Sequence, residues 1–249
     1  MTTVRRWGPH EAPTVVVMVH GVMDRAASFG RLGRRLTAAP GVAALAYDRR
    51  GYESAIGVGP GGLDDHAGDL VQVVDGLQAE RVVVFGHSYG GTVAWHAVAR
   101  GLLPAAVATY ESPVPSLPGY RDDLAASTLR VADASGPESA VTHFGSAVLG
   151  RPNWDRLRPE FLDLRLAEGP AVVADLRSLA DASVPTPPAS VDRHVAYGSA
   201  SVPHEAVVAG ELAELLGVTA VAIPDAGHGV HLTHPDACSR WLLGAVAAS

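Results

Sequence analysis

Apolar residues in this chain fall into short unbroken runs, and stretches of helical period lie between them. The runs are Thr14–Val19, Val42–Tyr47, 81–85, Ala106–Tyr110, 194–197 and 218–223. None alternates apolar with polar, which suits strands buried on both faces of a parallel sheet. Between them, Phe29, Leu32 and Leu36 share one helical stripe, and Leu70, Val73, Val74 and Leu77 share another. Helices are also predicted over 92–99, ended near Gly101, from about Pro203 to Leu216, and from about Pro235, where proline suits a first turn. Strands alternating with helices at short spacing predict βαβ units. Residues 1–13 read as a short lead-in that ends in a turn.

The alternation stops between 112 and 189. Prolines 113, 115, 118, 137, 152, 159 and 170 punctuate this block. Leu157, Phe161, Leu164 and Leu166 predict one helix there, and Val172, Val173, Leu176 and Leu179 another. Residues 184–188 read as an extended linker. The expected organisation is a core of 1–111 and 190–249, interrupted by a helical insertion at 112–189.

Composition narrows the function. Hydrophobic residues make up 47% of 249, enough for one sizeable core. A net charge of −7 argues against nucleic acid or an anionic membrane as partner. Cys238 is the single cysteine, so no internal disulfide and no cysteine-based metal site can form. Its apolar helical surroundings suit a small core residue. Residues 1–7 lack the apolar core of a signal peptide, and no apolar stretch reaches membrane-spanning length. A soluble, cytoplasmic protein, monomer or homodimer, is the expectation, with no cofactor.

The chemistry centres on Gly86-His87-Ser88-Tyr89-Gly90, followed by Gly91. This G-x-S-x-G pattern lies between a strand-like run and a helix-like run, the setting of a nucleophile elbow. A sharp turn there lifts the Ser88 hydroxyl clear of the backbone. The flanking glycines remove Cβ atoms that would collide with the adjoining strand and helix. The helix start offers unpaired N–H groups to developing negative charge. A serine hydroxyl also needs a base, and eleven histidines are available.

In these features the sequence resembles the α/β-hydrolase family. Four stretches carry the resemblance: Val19-His20-Gly21-Val22, Tyr47-Asp48-Arg49-Arg50-Gly51-Tyr52, Gly86 to Gly91, and Asp225-Ala226-Gly227-His228-Gly229. The resemblance implies an α/β fold, a twisted and mostly parallel sheet with helices on both faces and a small helical cap where 112–189 lies. It implies His228 as the base, with His20, His231 and His234 as competitors. His20 is expected to be structural, and His231 and His234 to be surface or helix-entry residues. His87 is expected to shape the pocket and His96 to pack within its helix. Asp48, Arg49 and Arg50 are expected to brace the loop beside the elbow.

The base needs an acid that fixes its tautomer. The commonest family position, just after strand 194–197, holds no Asp here. Glu205 is the nearest carboxylate but falls inside the next helix, on a side expected to point away. Some family members take the acid from the end of the preceding strand, and Glu111 stands there. Glu111 ends an apolar strand, where a charge is costly unless partnered. A Ser88–His228–Glu111 triad is therefore expected, with Glu205 as the alternative acid. The family pattern places the oxyanion hole at the backbone N–H groups of Val22 and Tyr89. No metal-ligand motif is apparent, His228, His231 and His234 included. Tyr120, Phe144, Trp154 and Phe161 are candidates for an acyl pocket or for cap packing. The implied activity is hydrolysis of a small carboxylic ester through an acyl-enzyme. A non-catalytic small-molecule receptor and an acyltransferase, thioesterase or haloperoxidase relative are the alternatives.

Overall fold

The computed structural model describes residues 3–182 and 184–248. Met1 and Thr2, part of the stretch read for a signal peptide, lie outside the described residues. In chain order the elements are β1 (Val4–Trp7), β2 (Thr14–Val19), α1 (Gly30–Leu36), β3 (Val42–Tyr47), α2 (Leu63–Asp75), β4 (Arg81–His87), α3 (Tyr89–Ala99) and β5 (Ala106–Tyr110). The helices α4 (Asp123–Ser135), α5 (Pro137–Leu149), α6 (Arg151–Trp154), α7 (Pro159–Ala167) and α8 (Gly169–Ser178) follow. The chain then forms β6 (Asp192–Gly198), α9 (Pro203–Leu216), β7 (Val221–Ile223), α10 (Val230–Thr233) and α11 (Pro235–Ala248).

The strands form one seven-stranded sheet in the order β1-β3-β2-β4-β5-β6-β7. All neighbours pair in parallel except β1, which runs antiparallel to β3 along the edge. Strand β2 shows why its apolar residues do not alternate. Val15, Val17 and Val19 pack on one face with Leu70, Val93, Ala97 and Leu212 from α2, α3 and α9. Val16 and Met18 pack on the other with Leu32, Leu36, Cys238 and Leu242 from α1 and α11. Both faces exclude water, so each position must be apolar.

Two edges differ from the sequence reading. β1 lies in the stretch read as a plain lead-in. Its Arg5-Arg6 pair hides the strand pattern, while Trp7 packs where a Cβ on Gly33 would approach to 2.6 Å. At the other edge β7 starts only at Val221, and Val221 and Ala222 are exposed.

Between β5 and β6 the chain is helical, and residues 184–188 carry no regular structure, as the linker reading expected. Leu157 precedes the helix read for it, because that helix begins at Pro159. Trp154, Val141, Val172 and Leu176 from this helical stretch cluster with Met23 and Tyr52. Those two residues follow the C-terminal ends of β2 and β3, so the helices sit over that edge of the sheet. No helix among the described residues is long and apolar enough to cross a membrane.

Candidate active site

Ser88 occupies the single residue between β4 and α3, with φ 52° and ψ −132°. A positive φ is costly for a side chain with a Cβ, and such strain concentrates at functional sites. Close packing enforces the turn. A Cβ on Gly90 would lie 2.1 Å from the Val19 carbonyl oxygen, and one on Gly86 2.3 Å from the Gly91 Cα. The Ser88 N–H donates to the Tyr110 carbonyl at 2.9 Å, tying the turn to the end of β5. The loop after β2 presses against the same serine. A Cβ on Gly21 would lie 2.9 Å from the Ser88 Cβ and 3.3 Å from its Oγ. Val22 thus follows a residue in contact with Ser88, and the Tyr89 N–H stands in the unpaired first turn of α3.

That loop is held from behind. Arg49, fully buried, donates to the carbonyls of His20 at 2.9 Å and Gly21 at 3.0 Å. The Arg49 N–H donates to His20 Nε2 at 2.9 Å, so Nδ1 carries the ring proton. Burial, reinforced by Arg49, pushes the His20 pKa down to about 3. His20 is a neutral structural residue, as expected. Asp48 accepts from the Ala26 N–H at 2.8 Å and from the Ser54 hydroxyl at 2.6 Å, and Arg50 pairs with Asp69. All three charged residues brace loops.

Glu111 follows β5 with φ 48°, a second strained position beside the Ser88 turn. Its side chain is fully buried. One carboxylate oxygen accepts from the Gly198 N–H at 2.8 Å and the Ser201 hydroxyl at 2.5 Å. The other accepts from His228 Nδ1 at 2.6 Å. Burial pushes the Glu111 pKa up, but the His228 and Ser201 bonds outweigh it and hold the carboxyl below its usual range. For His228, burial disfavours the charge, and the bond and charge of Glu111 prevail, raising its pKa above the ordinary histidine value. The loop bearing His228 is fixed by the Tyr110 hydroxyl on the Gly227 carbonyl at 2.8 Å and by the Ala200 N–H on the Ala226 carbonyl at 2.9 Å.

Two sequence expectations change, those for Glu205 and His231. Glu205 does not point away, since a carboxylate oxygen of it lies within 4.8 Å of ligand atoms of Glu111 and His228. It makes no hydrogen bond to His228, whereas Glu111 does. His231 is no surface residue but 2% exposed, because α10 packs it against Phe29 and His87. His96 is largely buried on its helix, its side chain 20% exposed, as expected, and it also pairs with Asp64 at 2.7 Å. Among the aromatics of 112–189, Trp154 and Phe144 pack with Met23 and Tyr52, and Tyr120 packs against the core. Phe161 alone of the four lines a cleft of about 260 Å³, with Met23, Leu149, Leu157 and Leu232. His87 is buried and its Nε2–H donates to the His228 carbonyl at 2.7 Å, so it supports the loop of the neighbouring histidine. Three supporting residues carried no sequence signal: Ser201 on Glu111, Asp175 on Arg49, and Asp24 beside His231. Each lies far along the chain from its partner or in no recognisable spacing.

Comparison with known proteins places these features in context. The model of the "Alpha/beta hydrolase family" matches residues 16–241. A curated relative, "Lipase LipV" of Mycobacterium tuberculosis, is 28% identical over 166 residues, 66% of this chain. The match spans 60% of that relative's own length. The solved enol-lactonase from Burkholderia xenovorans LB400 superposes with a TM-score of 0.74 at 18% identity, covering 99% of this chain and 96% of its own. The esterase EaEST from Exiguobacterium antarcticum gives 0.73 at 20% identity, covering 99% and 95%. At such identities the two structures speak for the fold.

Proposed function

The chain belongs to the alpha/beta hydrolase family, and on that footing we propose that it is a serine hydrolase cleaving a small carboxylic ester through an acyl-enzyme. One observation carries the reading. A fully buried, strained Glu111 accepts a hydrogen bond from His228 Nδ1 at 2.6 Å, just after the strand beside the one that leads into Ser88. A buried carboxylate is costly, and a histidine partner offsets that cost while fixing the imidazole tautomer. Nδ1 then keeps its proton and Nε2 is left as the base.

In this reading the Ser88 Oγ attacks the ester carbonyl carbon and its proton passes to His228 Nε2. The carbonyl oxygen becomes an oxyanion facing the N–H groups of Val22 and Tyr89, with the start of α3 adding its positive end. The tetrahedral species collapses, the alcohol leaves with the proton from His228, and an acyl group remains on Ser88. Water repeats the sequence and releases the acid. In this reading residues 112–189 form the cap over the site, clustering with Met23 and Tyr52 of the loops beside Ser88. The bond of the buried Glu111 to His228 favours this reading over a non-catalytic receptor.

A fluorophosphonate probe tests the proposal. One equivalent should attach to Ser88, and hydrolysis of short p-nitrophenyl esters should vanish in Ser88→Ala. An unlabelled serine in folded protein would overturn it. A panel of esters graded in chain length then locates the preferred acyl group.

A further inference from the structure

Beside Ser88, and apart from the residues given catalytic roles above, three side chains meet from three distant parts of the chain. Asp24 comes from the loop after β2, His87 from the end of β4 and His231 from α10. One potential ligand atom of each lies within 4.8 Å of the other two. His87 is 5% and His231 2% exposed. The His87 and His231 rings are 4.5 Å apart between centroids.

These groups are poorly matched as hydrogen-bond partners. His87 commits its Nε2–H to the His228 carbonyl, so its Nδ1 carries a bare lone pair, which is buried and has no partner among the described residues. Neither ring nitrogen of His231 has a hydrogen-bond partner there, and the same holds for Asp24 Oδ2. His231 Nε2 and Asp24 Oδ2 are 3.2 Å apart, close enough for an ion pair but outside hydrogen-bond geometry. Zinc–ligand bonds of about 2.0–2.1 Å in a tetrahedron set ligand atoms roughly 3.3 Å apart, with each lone pair aimed at the ion and not at its neighbour. The pair has that spacing and that misalignment.

We propose that Asp24, His87 and His231 form a binding site for one divalent cation of the zinc class, with a fourth position left to water. The donor set suits such an ion: two imidazoles and one carboxylate. A metal-bound histidine ordinarily anchors its other nitrogen on a carbonyl, as His87 does on His228. Entry is available, because Asp24 lines the cleft between the β2 loop and the cap helices. The neighbouring group Glu111, Glu205 and His228 is a weaker candidate. There Glu111 and His228 already satisfy each other, and the second Glu111 oxygen is taken by Gly198 and Ser201. The site is independent of the ester reading, since a cation could bind whether or not Ser88 is a nucleophile.

Equilibrium dialysis of the full chain, stripped with chelator and desalted, tests this with zinc and cobalt(II). One equivalent of zinc should bind. Cobalt should show the intense visible absorption of a four-coordinate site, and the unfolding temperature should rise with zinc concentration. Asp24→Asn and His231→Gln should each weaken binding at least about tenfold, while His228→Gln should retain the full equivalent. Circular dichroism identifies any variant that fails to fold, and the near-isosteric Asp24→Asn then decides. Binding of less than one equivalent overturns the proposal. So does binding that survives both substitutions, which assigns the cation to surface histidines, and so does loss in His228→Gln, which assigns it to the Glu111 group.

Discussion

Arg49, on the loop after β3, grips Asp175 of α8 with both ends of its guanidinium, at 2.7 and 3.1 Å, and neither side chain is exposed. The pair joins the sheet to the helical stretch above it. The same arginine holds the His20 and Gly21 carbonyls, so the loop beside Ser88 and α8 share one anchor. Tyr52 and His66 add bonds to Asp175 at 2.6 and 2.8 Å. The loop beside Ser88 is therefore positioned by a residue whose own charge is held by α8.

Asp175→Asn should lower stability by roughly 3–5 kcal/mol, because it leaves the Arg49 charge buried without its counterion. Urea unfolding measures this. The pH dependence has a definite sign. Burial opposes the Asp175 charge, but Arg49 and then His66 outweigh it, so the folded carboxyl titrates well below its usual range. Its stabilisation is complete above the unfolded value of about 3.9 and is lost as pH falls towards the folded value. The protein should lose stability below about pH 4 more steeply than Asp175→Asn does. Parallel curves would remove Asp175 from the account.

Glu111→Gln should reduce kcat/KM on an ester substrate on the order of 10³–10⁴-fold, as expected when the tautomer-fixing acid is neutralised. Glu205→Gln should have a far smaller effect, since it makes no hydrogen bond to His228. The opposite ranking would transfer the acid's role to Glu205.

The acid limb of the kcat/KM profile should lie above the ordinary histidine pKa of about 6.5. A base must be neutral to accept the serine proton, and Glu111 holds the His228 proton more tightly. Activity should therefore fall as pH drops through that raised value. Residual activity of Glu111→Gln should show its limb at lower pH. A limb that stays put would mean Glu111 does not set the His228 charge.

Gly90→Ala should be destabilising at or beyond the upper end of the roughly 1–3 kcal/mol typical of overpacking. The added methyl would meet the Val19 carbonyl at 2.1 Å, and backbone cannot rotate aside as a side chain can. Soluble yield and thermal unfolding report it. Gly210→Ala in α9 is the control for space, with nothing within 4 Å and no positive φ.

The βα alternation from β2 to β5, the doubly buried strands and the Ser88 turn were legible in the amino-acid order, because burial on both faces and a tight strand-to-helix turn restrict which residues each position accepts, whereas β1 and the helices α4 to α6 were not. Glu111 was legible as well, since a charge closing an apolar strand needs a reason. Other features were decided by packing. Whether Glu205 turns towards His228 depends on how α9 lies against β6. Whether His231 is buried depends on α10 folding over Phe29 and His87. Whether Asp175 meets Arg49 depends on where α8 comes to rest. Local sequence sets the backbone's choices through sterics and hydrophobic period. The company a polar side chain keeps is set by elements far away in the chain, and only the assembled fold brings positions 24, 87 and 231 together.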